Sequence, residues 1–144
     1  MRVVVDTNVL VSALIRPQGR AAQLFVHPIP FSLVTSSTIL DELARALHYP
    51  RLFKRYNLTN ELIDAYIATL RATSILITVP PELLQAIAGT SPDPDDDKFL
   101  ACALASAATC LVTGDQHLRN LGEYQGIPIL TPAQFLSFLD ATRS

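Results

Sequence analysis

The sequence lacks the short motifs that mark several common enzyme classes. Its five glycines form neither the G-x-G-x-x-G pattern of dinucleotide-binding folds nor the G-x-x-x-x-G-K pattern of P-loop enzymes. No G-x-S-x-G pattern indicates a serine hydrolase. The two cysteines, Cys102 and Cys110, form no C-x-x-C pair and have no histidine cluster nearby, which argues against structural zinc. The chemistry of the chain must therefore come from other residue types.

Long hydrophobic runs are also missing. No apolar run approaches the roughly 20 residues that a membrane-spanning helix needs. The first residues do not resemble a signal peptide, because Arg2 comes early and Asp6 interrupts the apolar stretch. With 144 residues, 49% of them hydrophobic and 17% charged, the chain is expected to fold as one domain over 1–144. We expect a cytoplasmic protein with no membrane partner.

Charge is small in sum but uneven along the chain. The net charge of −2 does not by itself indicate a nucleic-acid-binding protein. Acids are densest at 93–97, whereas the segment 45–56 carries no acid and holds five basic side chains: Arg45, His48, Arg51, Lys54 and Arg55. This separation predicts either a local basic patch or an ordinary solvated helical surface.

Short apolar runs alternate with helical patterns. Strands are predicted at Val3–Val5, Phe31–Thr35, Ile75–Val79, Cys110–Thr113 and Ile127–Leu130. Helices are predicted at about 9–15, 20–26, 38–47, 59–73, 94–108 and 132–140. This order predicts an α/β fold with a mainly parallel five-stranded sheet that helices cover on both faces. In such sheets, functional sites form at the carboxyl ends of the strands.

Two acids directly follow predicted strands. Asp6 ends the first strand, and Asp115 follows the fourth in Thr113-Gly114-Asp115. If those strands are neighbours in the sheet, both carboxylates face one pocket. Each acid could instead serve only as the N-cap of the next helix.

The segment 93–97 supplies a third acid. Asp93 suits an N-cap position, and acids at 95 and 96 suit the first turn of a helix. Asp97 instead heads an apolar stripe with Ala101, Leu104 and Ala108, which predicts that it points inward at the rim of the core. Asp96 is the second choice, because its stripe of Phe99, Leu100 and Ala103 is also apolar.

The helix at 38–47 supplies a fourth acid. Asp41 and Glu42 flank its buried face on opposite sides, so periodicity does not choose between them. Four carboxylates at one site would repel each other unless a cation neutralised them. A set of oxygen ligands without cysteine or histidine suits Mg²⁺ or Mn²⁺, as one or two ions.

Four motifs, taken in order, resemble the PIN-domain family. They are Asp6-Thr7-Asn8-Val9-Leu10, the segment 37–43 with Glu42, the segment 97–103 headed by Asp97, and Thr113-Gly114-Asp115. The longer string over 92–99 is most similar to bacterial and archaeal PIN-family toxins of toxin–antitoxin systems, the relatives of VapC. The resemblance spans Val3 to about Leu136.

The resemblance implies a three-layer α/β/α sandwich and a metal-dependent endoribonuclease. It implies that the metal is held by four acids, Asp6, Glu42, Asp97 and Asp115, and it favours Glu42 over Asp41 and Asp97 over Asp96. Supporting roles near the metal or substrate are assigned to Asn8, Thr113 and Asp96. It also implies an antitoxin partner and a homodimer. RNA backbone contacts are expected from Arg16, Arg20, Arg45, Arg51, Lys54 and Arg55.

Two other functions fit parts of the sequence. A non-catalytic PIN-like domain would bind RNA or a protein as a scaffold, although all four acids are present. An Asp-dependent phosphatase would use Asp6 as the nucleophile and a second Asp two residues later, where this chain has Asn8.

Overall fold

The computed structural model describes residues 1–143 and shows a central sheet flanked by helices. The strands are β1 (Arg2–Val5), β2 (Ser32–Thr35), β3 (Ile75–Leu76), β4 (Cys110–Val112), β5 (Glu123–Tyr124) and β6 (Ile127–Leu130). The helices are α1 (Thr7–Ile15), α2 (Arg20–Val26), α3 (Ser37–Leu47), α4 (Pro50–Phe53), α5 (Asn60–Thr73), α6 (Pro81–Ile87), α7 (Asp97–Ser106), α8 (Gln116–Leu121) and α9 (Pro132–Arg143). A short 3₁₀ turn, Pro94–Asp96, precedes α7. The predicted three-layer α/β/α fold is confirmed.

The sheet has the order β3-β2-β1-β4-β6-β5. All neighbouring strands are parallel except β5, which pairs antiparallel with β6. The described residues thus form six strands where five were predicted, because the two-residue β5 is too short to produce an apolar pattern. The strand order reverses between β1 and β4, so the switch point of this sheet lies at their carboxyl ends.

The core is built on the β-branched strand β1. Val3, Val4 and Val5 are fully buried, as expected for a central parallel strand covered on both faces. Helix α7 packs against β1, β2 and β4, and α9 packs against β6 and α2. Within the described residues, no helix is both long and apolar enough to cross a membrane.

Polar residues at the carboxyl ends of three strands act as N-caps of the helices that follow. Asp6 accepts a hydrogen bond from the Val9 amide at the start of α1, at 2.9 Å. Ser36 caps α3 through the Ile39 amide, and Asp115 caps α8 through the Leu118 amide. The N-cap roles considered for Asp6 and Asp115 are therefore present, and the site described below uses the same side chains.

Helix α9 provides a test of the packing. Phe135 is fully buried and meets the Phe31 ring edge-on, with 5.3 Å between ring centroids, whereas Phe138 is 42% exposed. We expect Phe135→Ala to lower the free energy of unfolding by about 3–5 kcal/mol, because it leaves a cavity in the core. Phe138→Ala, the matched control, should cost less than about 1.5 kcal/mol. Urea denaturation measures both, and equal losses would contradict the packing described.

Candidate active site

Asp6 lies at the switch point of the sheet and is only 2% exposed. Its backbone amide donates to the Val112 carbonyl on β4 at 3.0 Å, so the two strand ends are joined. One carboxylate oxygen accepts the Val9 amide, and the other accepts the Thr113 hydroxyl. The Asp6 carboxylate is therefore held by two groups, and neither of them is a positive charge.

Thr113 links Asp6 to Asp115. It is fully buried, directly after β4, where its hydroxyl donates to Asp6 and accepts from the Asp115 amide at 2.9 Å. Asp115 is partly buried and uses one oxygen to cap α8. Because β1 and β4 are parallel neighbours, both acids stand at the same edge of the sheet, as the sequence had predicted for neighbouring strands.

The third carboxylate at this edge belongs to Asp96. It ends the 3₁₀ turn before α7, is 5% exposed, and accepts a hydrogen bond from the Ser91 hydroxyl at 2.7 Å. Ser91 is itself buried, and it was not predicted from the sequence as a site residue. The position of Ser91 two residues before Asp93 predicts only a turn. Its hydrogen bond to Asp96 depends on how the segment folds, so the sequence does not predict that bond.

The electrostatics show that these acids act on one another. Burial raises the pKa of Asp6 to about 6, and the charges of Asp115 and Asp96 raise it too, while the bonds from Thr113 and Val9 oppose the rise. Burial also raises the pKa of Asp96, against the hydrogen bond from Ser91, and nearby Asp115 raises it further. Negative charge therefore accumulates at the site without full compensation.

A cavity of about 350 Å³, here named the acidic cavity, opens between these residues. Its acidic lining consists of Asp6, Glu42, Asp93, Asp95, Asp96 and Asp115. Asn8, Arg45, Tyr49 and Arg51 also line it, so basic and aromatic side chains stand beside the carboxylates. Tyr49 is 53% exposed.

Glu42 reaches the acidic cavity from α3, but it is not free. Its carboxylate forms an ion pair with the Lys98 ammonium at 2.5 Å. The ammonium also donates to the Asp95 carbonyl at 2.5 Å and lies over the Phe99 ring. Asp41, the alternative considered with Glu42, is exposed and does not line the cavity. Lys98 was not predicted as part of the site, because the spacing along the chain does not show that α3 and α7 meet there.

Asp97, which the sequence favours over Asp96, does not line the acidic cavity. It lines an adjoining cavity of about 540 Å³ beside Ser36, Thr38 and Ile77, and Asp95 lines both cavities. The Oδ1 of Asp97 is buried without a hydrogen-bond partner in the described residues. The reason is that α7 is buried around most of its circumference. The stripe headed by Asp96 is fully buried, while Leu104 in the stripe of Asp97 is only half-buried. An apolar stripe therefore could not distinguish the two acids.

The basic residues predicted to contact RNA lie in three different regions of the structure. Arg45 and Arg51 line the acidic cavity. Arg16 and Arg20 line another cavity, together with Arg119, which was not predicted from the sequence. Lys54 and Arg55 lie in the turn after α4, are exposed, and line neither cavity.

The donor set suits a hard divalent cation, because it consists of oxygen atoms and carries uncompensated negative charge. Among residues 1–143, however, no three acidic, histidine or cysteine side chains are close enough together, as placed, to share one ion. The residues fit the chemistry of Mg²⁺ or Mn²⁺, and binding would require the carboxylates to move closer together.

Two solved structures share this fold at low sequence identity. VapBC-1 from nontypeable Haemophilus influenzae has a TM-score of 0.63 and 16% identity, with 92% of this chain and 99% of that chain covered. VapC20 of Mycobacterium tuberculosis, described as a sarcin–ricin loop cleaving toxin, has a TM-score of 0.61 and 17% identity, with 88% and 98% covered. These similarities establish the fold alone.

The sequence comparisons identify the family. An uncharacterized protein of Methanocaldococcus jannaschii is 31% identical over 123 residues, which cover 84% of this chain and 75% of that protein. The family model described as PIN domain matches residues 2–117, from the strand that ends in Asp6 to the helix that Asp115 caps. Since this match covers most of the chain, the protein belongs to the PIN domain family.

Proposed function

We propose that this protein is a metal-dependent endoribonuclease that hydrolyses RNA phosphodiester bonds, as the toxin of a toxin–antitoxin pair. The observation that carries the proposal is the convergence of Asp6, Asp96 and Asp115 around one cavity at the switch point of the sheet. Buried carboxylates without a neutralising cation are costly, and a protein keeps them where they do chemistry.

In this proposal Asp6, Asp96 and Asp115 would hold Mg²⁺ or Mn²⁺, and Glu42, now paired with Lys98, would supply a fourth carboxylate. When bound, the ion supplies a Lewis acid for the phosphodiester and a means of activating water. Thr113 orients Asp6 through its hydroxyl, and Ser91 orients Asp96 in the same way. Asp97, named by the resemblance, remains a competing candidate because of its unpartnered buried oxygen.

The lining of the acidic cavity supports RNA as the substrate. Arg45 and Arg51 stand beside the carboxylates and can pair with phosphates that flank the scissile one. Tyr49 is exposed at the same cavity, where an unstacked base can lie on its ring. Asn8 is exposed in the lining and has amide groups available to orient the substrate. Lys54 and Arg55 would contact more distant phosphates.

A protein partner and a homodimer belong to the same proposal. VapC20, with which the chain shares its fold, is described as a toxin, and the resemblance to VapC relatives implies an antitoxin. Phe25, Val26 and Phe138 carry exposed apolar side chains on α2 and α9, and Val26 is 80% exposed. Such a surface is typical of a region that packs against another protein.

RNA cleavage with matched variants tests the proposal. We expect the purified protein to cleave RNA with Mn²⁺ but not in EDTA. Asp6→Asn and Asp96→Asn should lower the rate at least about 100-fold, because each removes a charge that holds the ion. Asp41→Asn, which alters an exposed carboxylate that does not line the cavity, is the control and should change the rate by less than about threefold.

Other outcomes of this assay favour other functions. Cleavage that survives Asp6→Asn would indicate a contaminating nuclease. Binding of RNA without cleavage, across several RNAs and metals, would favour the scaffold. Loss of activity in Asp97→Asn but not in Asp96→Asn would restore the assignment made from sequence. Hydrolysis of phosphate monoesters alone would favour the phosphatase.

The raised pKa of Asp6 predicts how stability depends on pH in EDTA. The pKa of Asp6 is 3.8 in the unfolded chain and is raised to about 6 in the folded protein. Between these two pH values, the folded state therefore binds more protons than the unfolded state. Stability should therefore fall by about 3 kcal/mol as pH rises from about 4 to 7. Asp6→Asn removes this term, so the variant should be more stable than the wild type at pH 8, with a smaller difference at pH 5. Thermal unfolding at both pH values measures this, and a less stable variant at pH 8 would refute it.

The ion pair of Lys98 with Glu42 predicts an effect on metal binding. Lys98→Met keeps the apolar part of the side chain over Phe99 but removes the cation, so Glu42 is released and the cavity becomes more negative. We expect Mn²⁺ to bind roughly two- to fivefold more tightly, by calorimetry. Lys54→Met, which alters an exposed lysine away from the cavity, is the control. Weaker binding to Lys98→Met would show that Lys98 supports the site instead.

A further inference from the structure

A second cavity, lined by three arginines, lies at the same edge of the sheet. It has a volume of about 500 Å³, and Arg16, Arg20 and Arg119 line it together with Ser12 and Thr131. Among the residues that the structure describes, no acidic side chain contributes to its lining. We name it the arginine cavity. Its charge is opposite in sign to that of the acidic cavity, so the two surfaces suit different parts of a ligand.

The backbone brings these arginines together from three elements. Arg16 caps the end of α1, and the Gly19 amide donates to the Arg16 carbonyl at 2.9 Å in the turn that leads to Arg20. A Cβ on Gly19 would lie 3.2 Å from that carbonyl, so the turn is closely packed. Arg119 comes from the last turn of α8.

The grouping of like charges needs an explanation. Within residues 1–143, none of the three arginines has a carboxylate within 4 Å, since the ion pairs found there involve His27 and Lys98. The three arginines are exposed, so water screens part of the repulsion between their guanidinium groups, and an anion bound between them would lower it further. Arginine suits such a role, because its planar group donates two parallel hydrogen bonds to phosphate oxygens.

The start of α9 adds to the attraction for an anion. Thr131 caps this twelve-residue helix by accepting the Gln134 amide at 3.1 Å, and Ala133 in the first turn also lines the cavity. The amides of a first helical turn carry partial positive charge. The start of α9 therefore adds positive potential to that of the three arginines.

The two cavities are close enough for one RNA strand. Arg119 follows Asp115 by four residues on α8, about 6 Å of helix rise, and Arg16 stands about 15 Å from Asp6 along α1. Thr131 directly follows β6, which is parallel to β4, so it lies at the same sheet edge as Thr113. Stacked nucleotides advance by about 3.4 Å each, so a few nucleotides span the separation.

We propose that the arginine cavity binds a backbone phosphate of the RNA strand whose scissile phosphate enters the acidic cavity. This inference rests on the proposed ribonuclease function and adds a second point of attachment. This phosphate subsite fixes the position of the RNA strand across the edge of the sheet. It makes no contact that distinguishes one base from another.

RNA binding in EDTA tests the subsite without cleavage. The probe is a fluorescein-labelled single-stranded RNA of twelve nucleotides, and anisotropy gives its affinity for the wild type, Arg16→Gln, Arg119→Gln and Arg71→Gln. Arg71 is the control, because it is exposed at the end of α5 and lines neither cavity. We expect each of the first two variants to bind about three- to tenfold more weakly near 0.1 M salt, with the slope of log affinity against log salt reduced by about 0.7. Arg71→Gln should match the wild type.

The outcomes separate this inference from the proposed function. Binding by Arg16→Gln and Arg119→Gln that equals that of Arg71→Gln would overturn it, as would undetectable binding of RNA to the wild type. Arginine-dependent binding of poly-glutamate without binding of RNA would also overturn it and would favour an acidic protein segment. If binding depends on the two arginines but the wild type does not cleave RNA with Mn²⁺, the proposed function fails and the anion subsite stands.

Discussion

The hydrogen bond between Thr113 and Asp6 connects the fold of this protein to its chemistry. It joins the carboxyl ends of β1 and β4, the two strands between which the order of the sheet reverses. Because Thr113 also accepts the Asp115 amide, one hydroxyl sets the positions of two acids. Asp6 is nearly fully buried and has hydrogen bonds but no cation, so its charge remains uncompensated within the described residues. The surrounding structure is arranged around that negative charge.

At the carboxyl edge of the sheet, the clustered carboxylates lower the stability of the fold, whereas the proposed function requires them. Burial and mutual repulsion raise the pKa of Asp6 and Asp96, which is unfavourable for the folded protein near neutral pH. The same repulsion favours a divalent cation. Lys98 moderates the charge by pairing with Glu42, and it lies on α7 where this helix meets α3. Stored electrostatic strain of this kind is typical of catalytic sites.

Much of the fold could be predicted, because long elements leave a periodic pattern. The central strands β1, β2 and β4 and the helices α5 and α9 appear where the apolar patterns placed them. Four elements were missed, of which α4, α8 and β5 have too few residues for a period to show. The fourth, α6, is as long as the predicted α2, but it begins with a proline just after the segment predicted as β3. Pro50 and Pro81 each occupy the first position of a helix, where a missing amide hydrogen costs nothing, so a proline there does not exclude a helix. β3 is shorter than predicted because it is an edge strand that pairs with β2 alone.

Local order along the chain is enough to predict the alternating α/β pattern and to place Asp6 and Asp115 directly after buried strands. The packing of elements against one another sets which other groups join these two acids. Asp96 faces the acidic cavity and Asp97 does not, because a 3₁₀ turn and a helix buried on most sides set the rotation. The pairing of Lys98 with Glu42 and the grouping of Arg119 with Arg16 join residues that are far apart in the chain. Only the packing of whole elements brings such residues together, and periodicity within one element cannot reveal it.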